Sequence, residues 1–220
     1  MESLLAFAAA VVTLRLSALL AGRWRARRAQ ELAAWSAALG AFAAASAALA
    51  WGAADGWSPP AFRLYYLFGA LLTAPLLGVG SLLLSGRRWA APLGLAYAGL
   101  AVGIAVAMPL HGHFAGTEIP DTAAHLDVFP ARVVAIAGNT LGTIAVVAIA
   151  LASFRRRPLG NALILAGVTV AAAGSALFGV GVAQTSASLA LAAALLYAGF
   201  VARPRRSSRP APVPEPHSQT

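Results

Sequence analysis

The chain has 220 residues, 60% hydrophobic and 10% charged, and its net charge of +9 rests on arginine, with no lysine and no cysteine. A soluble domain carries about 25% charged residues, so this chain cannot cover a water-facing surface and its solvent is a lipid bilayer. The missing cysteine excludes disulfides and thiolate sites, and the missing lysine excludes a Schiff-base chromophore. The arginines fall in short clusters between apolar runs, which marks them as topology determinants and argues against nucleic acid as a partner.

A membrane-crossing helix needs about 20 mainly apolar residues. Seven stretches satisfy this and predict an all-α, polytopic bundle with spans at about 3–21, 32–54, 62–84, 90–108, 131–154, 159–179 and 186–202. The first span has no basic segment before it, and the arginine cluster follows it, so it reads as an N-out anchor and not as a cleaved signal peptide. The last two spans come from one uncharged run after Arg157, divided at Gly179-Val-Gly-Val-Ala-Gln-Thr-Ser186. Residues 203–220 are rich in Pro, Ser and Arg without apolar periodicity, which predicts a disordered tail whose arginines lie along anionic headgroups.

Orientation follows from arginine placement. Arg23, Arg25, Arg27, Arg28, Arg87, Arg88, Arg155, Arg156, Arg157, Arg203, Arg205, Arg206 and Arg209 all fall on one side of the seven spans. The other side holds Arg63 and Arg132 together with Glu2, Asp55, Glu118, Asp121 and Asp127. Basic links stay cytoplasmic, which puts the N-terminus outside and the C-terminus inside, in a bacterial plasma membrane.

Within the spans, small residues recur every fourth position: Ala33, Ala37, Ala41 and Ala45; Gly99 and Gly103; Gly138 and Gly142; Ala190, Ala194 and Ala198. Such faces let helix backbones approach closely in lipid. Pro75, followed by Gly78 and Gly80, predicts a kink in the third span. Trp51, Trp57, Tyr65 and Tyr66 near one interface, and Trp24, Trp35 and Trp89 near the other, read as aromatic belts.

Arg15 is the ionisable residue placed well inside a span, and it must snorkel to the headgroups or find an internal polar partner. Asn139, Thr140 and Thr143 in the fifth span are the companions available for an intramembrane polar site, with Thr169, Ser175 and Glu31 as further partners. No span carries Asp, Glu or His at mid-depth, which disfavours a proton pump, and no phosphate loop, nucleophile elbow or HExxH occurs. The polar constellation lies in residues 109–130, which hold His111, His113, Glu118, Asp121, His125 and Asp127. His111 and His113 share a side of an extended strand, and Pro120-Asp121 reads as a helix start that sets Asp121 and His125 one turn apart. Imidazole with carboxylate suits Zn²⁺ or Cu²⁺, so His111, His113, Asp121 and His125 form a metal-ligand candidate, while the same histidines suit pH or ligand sensing, and an ordinary solvated loop requires neither.

The arginine-rich first loop (Arg23 to Arg28), Trp35, the run Arg63-Leu-Tyr-Tyr-Leu-Phe-Gly69 leading to Pro75, and Arg155-Arg-Arg-Pro158 together resemble the seven-helix N-terminal membrane region of some bacterial sensor histidine kinases. They are equally similar to multi-spanning bacterial proteins of uncharacterised role. No kinase or cyclase domain follows residue 202, so the resemblance implies a stand-alone, non-enzymatic sensor-like or partner-binding module, acting with a membrane-protein partner or as a homo-oligomer. Two alternatives stand beside it. One is a small transporter or channel with a polar site near Arg15 and Asn139; the other is a membrane enzyme or metal-binding protein using the 109–130 loop.

Overall fold

The computed structural model describes residues 2–155, 158–176 and 182–201, and every regular element among them is helical. Helix α1 (Glu2–Arg27) turns tightly into α2 (Gln30–Asp55) through Arg28, whose left-handed backbone (φ 54°) ends the first helix. The third apolar stretch is composite: α3 (Pro59–Tyr65), a π-helical segment (Tyr66–Thr73) and α4 (Ala74–Leu84). Then come α5 (Ala90–Ala107), a long loop with one short helix α6 (Thr122–His125), a π turn (Val128–Arg132) opening α7 (Val133–Ala152), and finally α8 (Pro158–Ala176) and α9 (Val182–Val201).

Five of these stretches, starting at Ser3, Gln30, Pro59, Ala90 and Val128, are long and apolar enough to cross a membrane. The chain is thus a helical membrane protein. Helices α8 and α9 lie where the sixth and seventh spans are expected. Of the turn expected at 179–186, residues 182–186 belong to α9; residues 177–181 and the tail 203–220 lie outside the described residues. The first helix runs six residues past the expected end at Ala21, because Arg and Ala are strong helix formers and an α-helix satisfies its own backbone in the headgroup layer.

Helix α2 is the hub: α1 packs on one side of it, and the π segment and α4 on the other. Helix α4 carries α7, and α9 lies against both α1 and α8. Between α1 and α2 the clasp is a reciprocal hydroxyl pair. Ser17 Oγ donates to the Ser36 carbonyl at 2.7 Å and Ser36 Oγ donates to the Ser17 carbonyl at 2.9 Å. Hydrogen bonds of this kind between helices in lipid contribute about 0.6 kcal/mol on average.

Two glycines make the α4–α7 crossing. A Cβ on Gly78 would come within 2.7 Å of the Gly142 Cα, and one on Gly142 would run into the Ala74 carbonyl. Gly138 lies beside them, under the Tyr97 hydroxyl and 3.0 Å from Pro75 Cγ by the same measure. The repeat of Gly138 and Gly142 is therefore a packing face. Other expected faces are used differently. Gly99 and Gly103 face open space, Ala194 and Ala198 are exposed, and the buried side of α9 is instead Ala192, Ala193, Leu196 and Gly199. Four-residue spacing repeats on every side of an alanine-rich helix, so tertiary contact alone selects which side is used.

The aromatic belts are likewise divided. Trp51 and Trp89 are exposed as a belt requires, whereas Trp57 and Tyr66 are buried and Trp35 packs its indole on Gly80. Gly142→Leu should lower unfolding stability of the reconstituted protein by about 1–3 kcal/mol through overpacking. Gly103→Leu, into open space, should change it by less than about 0.5 kcal/mol. Denaturation in mixed detergent micelles reads both.

Candidate functional site

The site begins with a missing donor. Pro75 has no N–H, so the carbonyls one turn earlier lose their usual acceptor role in a medium that offers no water. The helix widens there into the Tyr66–Thr73 π segment, a feature often found at functional positions. Two side chains repair the backbone. Thr73 Oγ1 donates to the Phe68 carbonyl at 2.7 Å, and Asn139 Nδ2, from α7, donates to the Ala70 carbonyl at 3.0 Å. Ala70 is five residues before Pro75, the position a π-register bond from residue 75 would have used. Tyr97 of α5 closes the same place from a third side, its hydroxyl 3.4 Å from the Val134 carbonyl.

Over the end of the bundle nearest this segment lies a cap made by residues 109–127. Its backbone is closed on itself: His111 N–H donates to the His125 carbonyl at 3.0 Å, and His125 Nδ1 lies 2.7 Å from the His111 carbonyl. That geometry assigns Nδ1 the proton. Gly112 (φ 73°) and Gly116 (φ 77°) supply the left-handed turns that fold the segment back. The Trp57 backbone N–H donates to the Gly116 carbonyl at 3.0 Å, tying the cap to the α2–α3 link. Asp121 caps α6 by accepting from the Ala123 N–H at 2.9 Å, so the helix start expected at Pro120-Asp121 is present.

The cap docks through rings. Phe114 and His125 stack at 4.3 Å between centroids with 17° between planes, and both sit on Phe62, at 5.3 Å and 6.0 Å. Phe62 is fully buried and stacks at 6.0 Å on Tyr66, the first residue of the π segment. Trp57 meets Tyr65 and Phe62 edge to face, arrangements worth about 0.5–1.5 kcal/mol each beyond area burial. Met108, Leu126 and the half-buried Leu110 and Ile119 complete the apolar underside. Nearby, Arg63 serves the fold, donating to the Ala105 and Val106 carbonyls at 2.7 and 3.2 Å and so capping the C-terminus of α5.

The expected residues are distributed as follows. His111 Nε2 is 3.2 Å from Asp127 Oδ2, but both side chains are more than half exposed, so the pair contributes little to stability. His113 is exposed, Asp121 is occupied as a cap, and His125 lies in the ring stack. Among the described residues no group of three or more His, Asp or Glu side chains is placed to hold a metal ion. The intramembrane set is also separated. Arg15 is exposed on α1, which packs on α2 and α9, whereas Asn139 is engaged at the π segment. Thr140 is exposed and Thr143 half-buried on the same helix.

Phe62, Phe114 and Tyr97 were not anticipated as site residues. The available signal was Phe114 itself, an aromatic between two glycines in an otherwise polar loop. Asn139→Leu should cost about 0.6–2 kcal/mol by leaving the Ala70 carbonyl bare, while Thr140→Ala should be neutral in the same unfolding assay. No protein-family model, curated protein or solved structure matches this chain.

Proposed function

We propose that the protein is a seven-span, N-out membrane module that reads a condition or ligand at its external face, without catalysing a reaction. Arginine distribution supports the orientation, because the cap then faces outward and the basic links face the cytoplasm. The observation that carries the reading is the ring series His125, Phe62 and Tyr66, which runs from the cap into the first residue of the π segment. The cap is held by few polar contacts and by stacking, so it is an element of low local stability set on a rigid bundle. Whatever displaces His125 removes one side of the Phe62 packing. The π segment, with its rerouted hydrogen bonds, is the part of the membrane core whose register has an alternative.

Two experiments test this. Because the chain has no cysteine, Thr117→Cys and Ser85→Cys are unique labels; Thr117→Cys should react with an impermeant thiol reagent from outside intact cells and Ser85→Cys should not. The reverse result would remove the orientation on which external sensing depends. Hydrogen exchange in nanodiscs reads the coupling: His125→Ala or Phe114→Ala should speed exchange at residues 66–75 by about tenfold, equivalent to about 1.4 kcal/mol of local opening. His113→Ala, at an exposed position, should leave it unchanged. Equal exchange at 66–75 in wild type and His125→Ala would mean that the cap is only a cover.

A further inference from the structure

Helix α1 carries the chain's one arginine well inside an apolar span: Arg15 is six residues before Ala21, where the expected span of about 3–21 ends, and eight before Arg23. Its side chain is on the exposed side, among Val11, Val12, Leu14 and Leu19, which are exposed as well. The buried side of the same helix is Ala6, Ala9, Thr13, Leu16 and Leu20, committed to α2 and α9. No hydrogen bond or ion pair to Arg15 occurs among the described residues. A lone charge facing hydrocarbon is costly and calls for a partner.

The headgroups are a poor answer. Arg23, the first residue of the basic cluster, is eight residues on, about 12 Å along the axis at 1.5 Å per residue. Helical side chains lean toward the N-terminus, which in this helix is away from that cluster. The chain itself offers no carboxylate at this level. Its seven acids are Glu2, Glu31, Asp55, Glu118, Asp121, Asp127 and Glu215, none inside an apolar span. The Ser17–Ser36 clasp sets the register between α1 and α2, and it puts Glu31 about five residues beyond Ser36, toward the helix ends. A second copy alongside would present the same empty level.

We propose that the exposed face of α1 docks a transmembrane helix of another protein, one that carries an Asp or Glu within its span at the level of Arg15. The face is shaped for close approach: Ala18, Gly22 and Ala26 continue it one turn at a time, and a Cβ on Gly22 would meet nothing within 4 Å. Charge identifies the partner, and the small residues only allow its backbone to come near enough for a desolvated pair. The inference rests on the bilayer placement of α1 but not on the external-sensing reading, since it concerns a different helix and a different surface.

The test uses a defined partner. The full chain with Ser207→Cys as its single labelling site is placed in phosphatidylcholine vesicles with a synthetic Leu/Ala transmembrane peptide bearing Glu, or Leu, at its centre. Energy transfer reports association. The Glu peptide should bind about five- to tenfold more tightly than the Leu peptide. Arg15→Leu should erase that advantage, and Arg15→Glu should restore it for a peptide with central Arg. Thermal stability of each variant is measured in parallel, and because Arg15 is exposed it should not fall. Equal binding of the Glu and Leu peptides overturns the proposal and assigns Arg15 to lipid phosphate. An Arg15-dependent transfer between two labelled copies, unaffected by the Glu peptide, overturns it in favour of self-association.

Discussion

A bilayer offers no water to an unpaired carbonyl, and Pro75 creates the need for one in the middle of a span. Much of the bundle answers that single omission. The helix widens into a π segment, Thr73 bonds back to Phe68, and Asn139 reaches across from α7 to Ala70. For Asn139 to reach, α7 must lie almost against the α4 backbone, which Gly138, Gly142 and Gly78 permit because nothing larger fits. The hydrogen bond and the glycine crossing are thus two parts of one solution: the first supplies the donor and the second the proximity.

The polar groups inside the bundle follow the same economy. Ser17 and Ser36 clasp α1 to α2, and Asn161 Nδ2 donates to Ser153 Oγ at 2.9 Å where α8 begins, Ser153 in turn donating to the Ile149 carbonyl at the end of α7. Each joins two helices that the apolar effect cannot distinguish, since lipid tails are as apolar as leucine. Arg63 does the analogous service at a helix end, where the last carbonyls of α5 have no intrahelical donor. This gives Arg63, which lies outside the arginine clusters of the chain, a structural role.

The cap differs in kind. Its contacts with the bundle are stacked and tilted rings, the apolar side chains of Leu110, Ile119 and Leu126, and one backbone hydrogen bond from Trp57, and its ion pair is exposed. Stacked rings constrain direction less than a hydrogen-bonded ladder does, and the π segment departs from the regular α-helical ladder. The cap and the π segment are joined through Phe62 and Tyr66. The exposed Arg15 face is on α1, a helix whose main contacts are with α2 and α9.

Hydropathy was enough to establish a helical membrane protein, because lipid imposes length and composition on any segment that crosses it, and Pro75 marked the stretch in which the helix departs from α-helical bonding. The Asp121 cap was legible for a similar reason: an N-cap is a local bond between residues two apart. What joins residues distant in the chain was not. Asn139 and Ala70 are 69 positions apart, and nothing in either neighbourhood names the other. The same holds for the burial of Trp57 and Tyr66, expected as interface residues, and for the preference of Gly138 and Gly142 over Gly99 and Gly103 as a contact face. In an alanine-rich helix every side is small and apolar, so local pattern carries no orientation. Only the packing of neighbours decides which side is core, which side meets lipid, and therefore that Arg15 looks outward while Asn139 looks in.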